Sequence, residues 1–440
     1  MFMNGNGKNI IIFHLESLNS LVFQLHPELF PNLRKIMEIS TYYSNYYSTA
    51  TSTNMVITDL FFGDSSQFEK VDSLKKVFSV KTSKPTLLEH LKNNGYYIKQ
   101  FYYCYCDGDA KDLCDRLCMG SDFWLNDNPM LDEFSLEFEK SVSVNQKFAF
   151  FVHDDESHIS HIHQYDRHDL SNDELYLYRF EQLDKTVGRL FSVLRSNGRL
   201  DETVVILYGD HGDDFFSHGM HDGYFHAIEP YSFITHCPLF VYNPGESNGV
   251  DTGLLSAINI YKLALSYVGL NDCKIENKFV FSRNLFSKQK LCKNSFNKSY
   301  SVTDGRYTLI VSNDGLKMYN NTIDVLNGKN LLDFFVLKND TIRFVSKYDF
   351  YAAGHIKCFM TDRYKTELAD EFSILHEQLL NYIKNIYDNA LGNMIFSRID
   401  YSNEKHNVKY SFYIRSAQQR IISLIPSSWK RWIQSKIYTN

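Results

Sequence analysis

Proline is scarce in this chain, 8 in 440 residues, and no stretch approaches the ~20 consecutive apolar residues that a membrane-spanning helix needs. Positive charge is also short. The formal net charge is -6, which gives no general surface for nucleic acid, because a phosphate backbone calls for a concentrated basic face. The apolar run Ile10-Ile11-Ile12-Phe13 near the N-terminus is too short for the hydrophobic region of a signal peptide and has no cleavage site behind it. The expectation is a chain that is not exported, hence cytoplasmic, with its eight cysteines reduced. Cys104, Cys106, Cys114 and Cys118 cluster, but they lack the paired C-x2-C knuckles of structural zinc.

What is abundant is ordinary for a folded chain: 44% hydrophobic and 22% charged residues, enough to bury a sizeable core. The 30 Tyr and 34 Phe, with many Asn, fit the bias of an AT-rich genome. Residues 9–15 read as a buried parallel strand, and the spacing of Leu33, Ile36 and Met37 after Pro31 predicts a helix. Thr86 to Tyr96 reads as a helix with a Gly stop, followed by strands over 97–103 and 148–152. A long amphipathic helix over Leu175 to Leu194 leads into a strand over Thr203 to Tyr208. Strands alternating with helices predict an α/β fold, a mainly parallel sheet with helices on both faces. Ligands collect at the carboxyl ends of such strands. Glu16, the His153–His163 run and Asp210-His211 all follow strands, so the topology brings them to one edge.

Beyond residue 295 short alternating strands at 300–303, 307–311 and 341–345 predict a small antiparallel sheet, and residues 365–390 read as helical. The expected organisation is a catalytic domain over 1–295, a subdomain over 296–400, and a basic amphipathic tail over 401–440. In that tail Lys405, Lys409, Arg415, Arg420, Lys430, Arg431 and Lys436 alternate with Ile and Trp, and no acidic residue follows Glu404. Such a segment either lies in an anionic membrane surface or docks on the protein's own core.

The sharpest chemical signal is Gly209-Asp210-His211-Gly212-Asp213 directly after a hydrophobic strand. Adjacent carboxylate and imidazole in such a turn can reach one divalent metal, with glycines letting the backbone bend; a polar turn capped by Asp is the plainer reading. Glu16 closes the first strand, placed either as a metal ligand or as an acid favoured at a helix N-terminus. Thr53, in Thr51-Ser52-Thr53-Asn54 ahead of an apolar helical run, is either a hydroxyl in the positive field of a helix start or simply an N-cap.

Together these segments resemble the sulfatase-like branch of the alkaline phosphatase superfamily, which includes lipoteichoic acid synthases and phosphoethanolamine transferases. Thr86 to Tyr96, Asp184-Lys185-Thr186-Val187-Gly188, Cys237-Pro238-Leu239-Phe240-Val241-Tyr242 and Arg306-Tyr307-Thr308-Leu309-Ile310 are similar to further landmarks of that branch, in the same order. The resemblance implies an alkaline phosphatase-like fold and one divalent metal, zinc or manganese, held by Glu16, Thr53, Asp210 and His211, with a second metal conceivable. It implies Thr53 as nucleophile, in the Leu-Glu-Ser and Thr-Ser-Thr contexts of the transferases; the Cys-x-Pro-Ser-Arg of true sulfatases is missing. His158 matches the branch's Ser-His histidine, although Ile159-Ser160 replace the usual residues after it. Among His218, His221 and His226, His221 is favoured as acid/base and His226 stands second. His161, His163 and His226 are candidates for a substrate or second-metal site. The implied reaction is phosphoryl-type transfer from a phosphate-ester donor to a glycan or lipid-linked glycan, with no nucleic acid partner. The alternatives are a soluble phosphodiesterase, phosphatase or sulfatase-type hydrolase, and an inactive glycan-binding protein of the same fold.

Overall fold

The computed structural model describes residues 7–65, 85–103, 122–126, 131–155, 157–158, 169–170, 172–213, 229–272, 274–284, 299–312, 315–322, 331 and 369–387. His161, His163, His218, His221, His226, the strand expected at 341–345, the cysteine cluster at 104–118 and the tail from 405 lie outside the described residues. Two compact units emerge, the first from residues 1–212 and 235–277, the second from 213–234 and 278–440.

The first unit contains β1 (Asn9–Leu15), α1 (Ser20–Leu25), α2 (Pro31–Glu38), β2 (Thr41–Tyr43), β3 (Tyr46–Tyr47), α3 (Thr53–Phe62), α4 (Leu87–Asn93), β4 (Tyr97–Tyr103) and β5 (Asp122–Asn126). It continues through α5 (Leu131–Val142), β6 (Phe148–Asp154), α6 (Asn172–Ser196), β7 (Thr203–Gly209), β8 (Leu239–Tyr242), β9 (Gly249–Asp251), β10 (Leu255–Ser256) and α7 (Ala257–Tyr267). Eight strands form one sheet in the order β5-β4-β6-β1-β7-β8-β2-β9. The first five are parallel, and β8 runs antiparallel to both β7 and β2. Expectation and structure agree on an α/β, mainly parallel, alkaline phosphatase-like architecture.

Strands β1, β6 and β7 are buried along their whole length, as expected of parallel strands covered on both sides. Alternation along β6 shows which helix covers which face. The Phe150 ring meets Phe138 of α5, with centroids 6.1 Å apart, and Phe151 points the other way to meet Phe61 of α3 at 5.0 Å. His153 follows Phe151 at the strand period of two, so it shares the α3 side. Register carries this across the sheet, since His14 pairs with His153 on one side and Tyr208 on the other. Glu16, two residues beyond His14, rises from the same face at the carboxyl edge.

The helix ends are set locally. Thr86 caps α4 with a reciprocal capping box, its hydroxyl accepting from the Glu89 amide while the Glu89 carboxylate accepts from the Thr86 amide. Asp184 of α6 reaches across to accept from the backbone amides of Asn32 and Leu33 at the start of α2. That ties two helices together and fills the helix start with a carboxylate, where the dipole favours it.

The second unit holds a four-stranded antiparallel sheet of β11 (Val280–Arg283), β12 (Tyr300–Thr303), β13 (Tyr307–Ser312) and β14 (Gly315–Asn320). Helix α9 (Ala369–Tyr387) follows the short α8 (Ser232–Thr235), and Tyr382 of α9 stacks on Phe281 with centroids 4.3 Å apart. Tyr231, Phe233, Ile234 and Ile310 form a small buried cluster. Among the described residues no helix is long and apolar enough to cross a membrane.

The glycines of the Asp-His turn prove necessary for a reason other than backbone freedom. Neither Gly209 nor Gly212 has a positive φ. A Cβ on Gly209 would run into the backbone carbonyl oxygen of Leu18, and one on Gly212 into the Asn19 side chain. The loop after β1 therefore packs directly against the backbone leaving β7. Gly209→Ala should destabilise the protein by about 2–4 kcal/mol, because the obstacle is backbone and cannot rotate away. An unchanged urea midpoint would contradict this packing.

Candidate active site and metal centre

The carboxyl ends of β1 and β7 deliver Glu16 and Asp210, and both are fully buried. Ser17 brackets them: its amide donates to Asp210 Oδ1 at 2.9 Å and its hydroxyl to Glu16 Oε1 at 2.9 Å. To do so it adopts φ 56, the one positive φ outside glycine among the described residues. A left-handed serine is uncommon and costs of order 1–3 kcal/mol, which the two hydrogen bonds offset.

His211 Nε2 lies 3.1 Å from Asp210 Oδ2 and 4.0 Å from Glu16 Oε1. Thr53 is the first residue of α3, with Ser52 in extended conformation as its N-cap. The expected alternative of Thr53 as N-cap therefore falls away, and its hydroxyl is left for other work. Thr53 Oγ1 lies 3.1 Å from His211 Nε2 and 3.3 and 3.4 Å from the two Glu16 oxygens. The helix-start reading of Glu16 fails too. The next helix begins at Ser20 with Asn19 as its cap, and it has no acid in its first turn.

The structure thus brings together Glu16, Thr53, Asp210 and His211, the four residues expected to hold a metal. His158 lies in the loop after β6, next to Ser157, whose hydroxyl donates to the Glu16 carbonyl at 2.6 Å. Arg179 of α6, buried and stacked on Tyr176 with 3.9 Å to the ring centroid, donates to the Ser157 carbonyl and so ties that loop to α6. The His158 imidazole adds to the positive field at Glu16.

Two buried histidines were not singled out from sequence. His14 Nε2 lies 3.0 Å from Glu16 Oε2 and 3.5 Å from Asp210 Oδ2, and its Nδ1 lies 2.9 Å from the Tyr208 hydroxyl. His153, reached above only as the start of a His-rich run, puts Nε2 3.6 Å from Glu16 Oε2. The available signal was period two: each is an imidazole set in an apolar buried strand, and His14 stands two residues before a carboxylate.

Two carboxylates buried side by side cannot both be ionised cheaply without a cation. Burial would raise Glu16, but the His14 and His153 imidazoles beside it hold its carboxyl well below the usual range. Burial, then the neighbouring Glu16 charge, push Asp210 up to about 7. Asp210 Oδ2 is buried without a hydrogen-bond partner. An orphaned carboxylate oxygen, with an imidazole nitrogen 3.1 Å away and a hydroxyl near both, fits a divalent cation at the Glu16, Asp210 and His211 cluster.

The sequence profile described as Sulfatase matches residues 8–270, more than half of the chain. The chain belongs to the sulfatase family. Within that family it is 23% identical to lipoteichoic acid synthase 1 of Bacillus subtilis over 395 residues, 80% of this chain and 61% of the relative. It is 30% identical to arylsulfatase K of Danio rerio over 90 residues, 20% of this chain and 16% of the relative. The chain thus matches less than two thirds of the length of these curated relatives. Among solved structures, a 2-O GAG sulfatase aligns with a TM-score of 0.66 at 14% identity, covering 87% of this chain and 93% of that one.

The raised Asp210 pKa has a thermodynamic consequence. Without metal, the folded protein keeps a proton on Asp210 up to about pH 7, whereas the unfolded chain releases it near 3.8, so stability falls as pH rises through that window. Glu16 acts oppositely, its contribution being fully present above 4.5 and lost below. Asp210→Asn should therefore raise the Tm of chelator-treated protein at pH 8 by a few degrees and leave it nearly unchanged at pH 4. Calorimetry at the two pH values tests this, and equal shifts at both would contradict it.

Proposed function

We propose that this chain is a phosphoryl-type transferase that uses Thr53 as a covalent nucleophile and modifies a bacterial surface glycan or its lipid-linked precursor. The observation that carries the reading is a threonine hydroxyl at the first position of a ten-residue helix, 3.1 Å from His211 and within 3.4 Å of Glu16. A divalent cation, zinc or manganese, bound by Glu16, Asp210, His211 and Thr53 would supply Lewis-acid charge that lowers the hydroxyl pKa and stabilises negative oxygen.

Thr53 gives its proton to solvent as the alkoxide forms, and Oγ1 attacks phosphorus, forming phosphothreonine as the bond to the donor's leaving oxygen breaks; Thr53 leaves the second half as the alkoxide again. The N-terminus of α3 offers its dipole to the charge that develops there. Proton delivery to the leaving oxygen falls to His158 or His221. In the second half the same histidine removes the acceptor's proton, the acceptor oxygen takes the phosphoryl group, and Thr53 is freed.

Threonine rather than cysteine at this position, and the extended match to lipoteichoic acid synthase 1, favour transfer. The arylsulfatase and sulfatase likenesses favour hydrolysis as the second reading, with water as acceptor. Thr53→Ala should lower turnover at least about 10³-fold while keeping the fold and nearly all bound metal. Mass spectrometry of the Thr53 peptide after incubation with phosphate-ester donors should detect the phosphorylated species in wild type. Activity within a few-fold of wild type in Thr53→Ala would remove Thr53 from the mechanism. Labelled donor appearing on glycan rather than as free phosphate separates transfer from hydrolysis.

The basic tail over 405–440 extends the proposal to place: an anionic membrane surface on its cytoplasmic side, where each near-surface charge adds ~1 kcal/mol. Co-sedimentation with phosphatidylserine-containing vesicles should fall about 10-fold or more in a version ending at Asn403. Equal binding by both versions would exclude the tail as anchor.

A further inference from the structure

The two oxygens of Glu16 face different neighbours. Oε1 accepts from Ser17 and looks toward His211 at 4.0 Å, while Oε2 looks toward His14 Nε2 at 3.0 Å and His153 Nε2 at 3.6 Å. His153 is 1% exposed, and neither of its ring nitrogens has a hydrogen-bond partner. Leaving a buried imidazole unsatisfied costs ~1–3 kcal/mol, so the ring calls for a ligand. At 3.6 Å its Nε2 is beyond hydrogen-bond range of Oε2. It is within range of a shared ion: two ligand atoms ~2.0–2.1 Å from one tetrahedral centre lie roughly 3.3 Å from each other. The 3.0 and 3.6 Å separations bracket that value.

We propose that His14 Nε2, His153 Nε2 and Glu16 Oε2 form a second divalent-cation site, with the Glu16 carboxylate bridging it to the ion held by Thr53, Asp210 and His211. The proposal deepens the functional reading above and shares Glu16 with it. Two imidazoles to one carboxylate select zinc over magnesium or calcium. Tyr208 sets the tautomer: with His14 Nδ1–H donating to the phenol oxygen at 2.9 Å, the Nε2 lone pair is free for the ion. His14 comes two residues before Glu16 on the same face of the sheet, so an ion held there would act on Thr53 through the shared Glu16 carboxylate. By drawing charge from Glu16 it strengthens the pull of the outer ion on the Thr53 hydroxyl. The charges balance: Glu16 and Asp210 match one divalent ion, and the two positive charges of the second match a threonine alkoxide and a phosphodiester monoanion.

The test is metal stoichiometry. Full-length protein is stripped with chelator, reloaded with zinc and dialysed, then measured by elemental analysis; crystals of the same protein are measured at the zinc edge. The expected result is two equivalents in wild type and two anomalous peaks ~3.5–4 Å apart. His153→Ala and His14→Ala should each hold one equivalent, with circular dichroism reporting whether they fold. If neither variant folds, the two wild-type peaks decide alone. A single wild-type peak beside Asp210 and His211 overturns this inference and leaves the Thr53 reading standing, whereas no bound zinc or manganese in wild type overturns both.

Discussion

The structure is organised by the cost of burying Glu16 and Asp210 side by side. Two carboxylates without access to water repel each other and lose their hydration, and only nearby positive charge or donated hydrogen bonds can compensate. Nearly every specific feature around them serves that end. Three parallel strands in register place both acids at one edge, His14 and His211 flank them, and the start of α3 turns its dipole toward the same point. The aromatic core of Phe61, Phe151 and Tyr208 on that face keeps water out, which strengthens each of these interactions.

Much of this was legible in the residues. β-Branched runs ending in Glu16 and in Asp210-His211 identify parallel strands and their carboxyl ends, because strands buried on both faces read as continuous apolar segments. The helix starting at Thr53 was legible from the apolar run behind it, and the small antiparallel sheet from short alternating segments at 300–311. Thr86 and Glu89 carry their capping box openly, since its two partners are three residues apart.

What escaped reading depends on contacts between segments distant in sequence. His14 and His153 stand 139 residues apart, and only register places their rings 4.4 Å from each other. Gly209 looked like a hinge, yet what forbids a side chain there is the Leu18 carbonyl, which no local pattern announces. Arg179 lies within a helix that reads as amphipathic, and its role in holding the Ser157 carbonyl comes from packing against a loop.

Ser17 gives the site one property that separates it from small metal-folded domains. With one amide and one hydroxyl it spans both acids. Hydrogen bonds from one serine thus tie the two carboxylates together through the polypeptide itself. A divalent ion bound between them would have to shed its own water and displace the proton that burial and Glu16 favour on Asp210. Cations that release water slowly, magnesium among them, are then disfavoured by rate as well as by affinity.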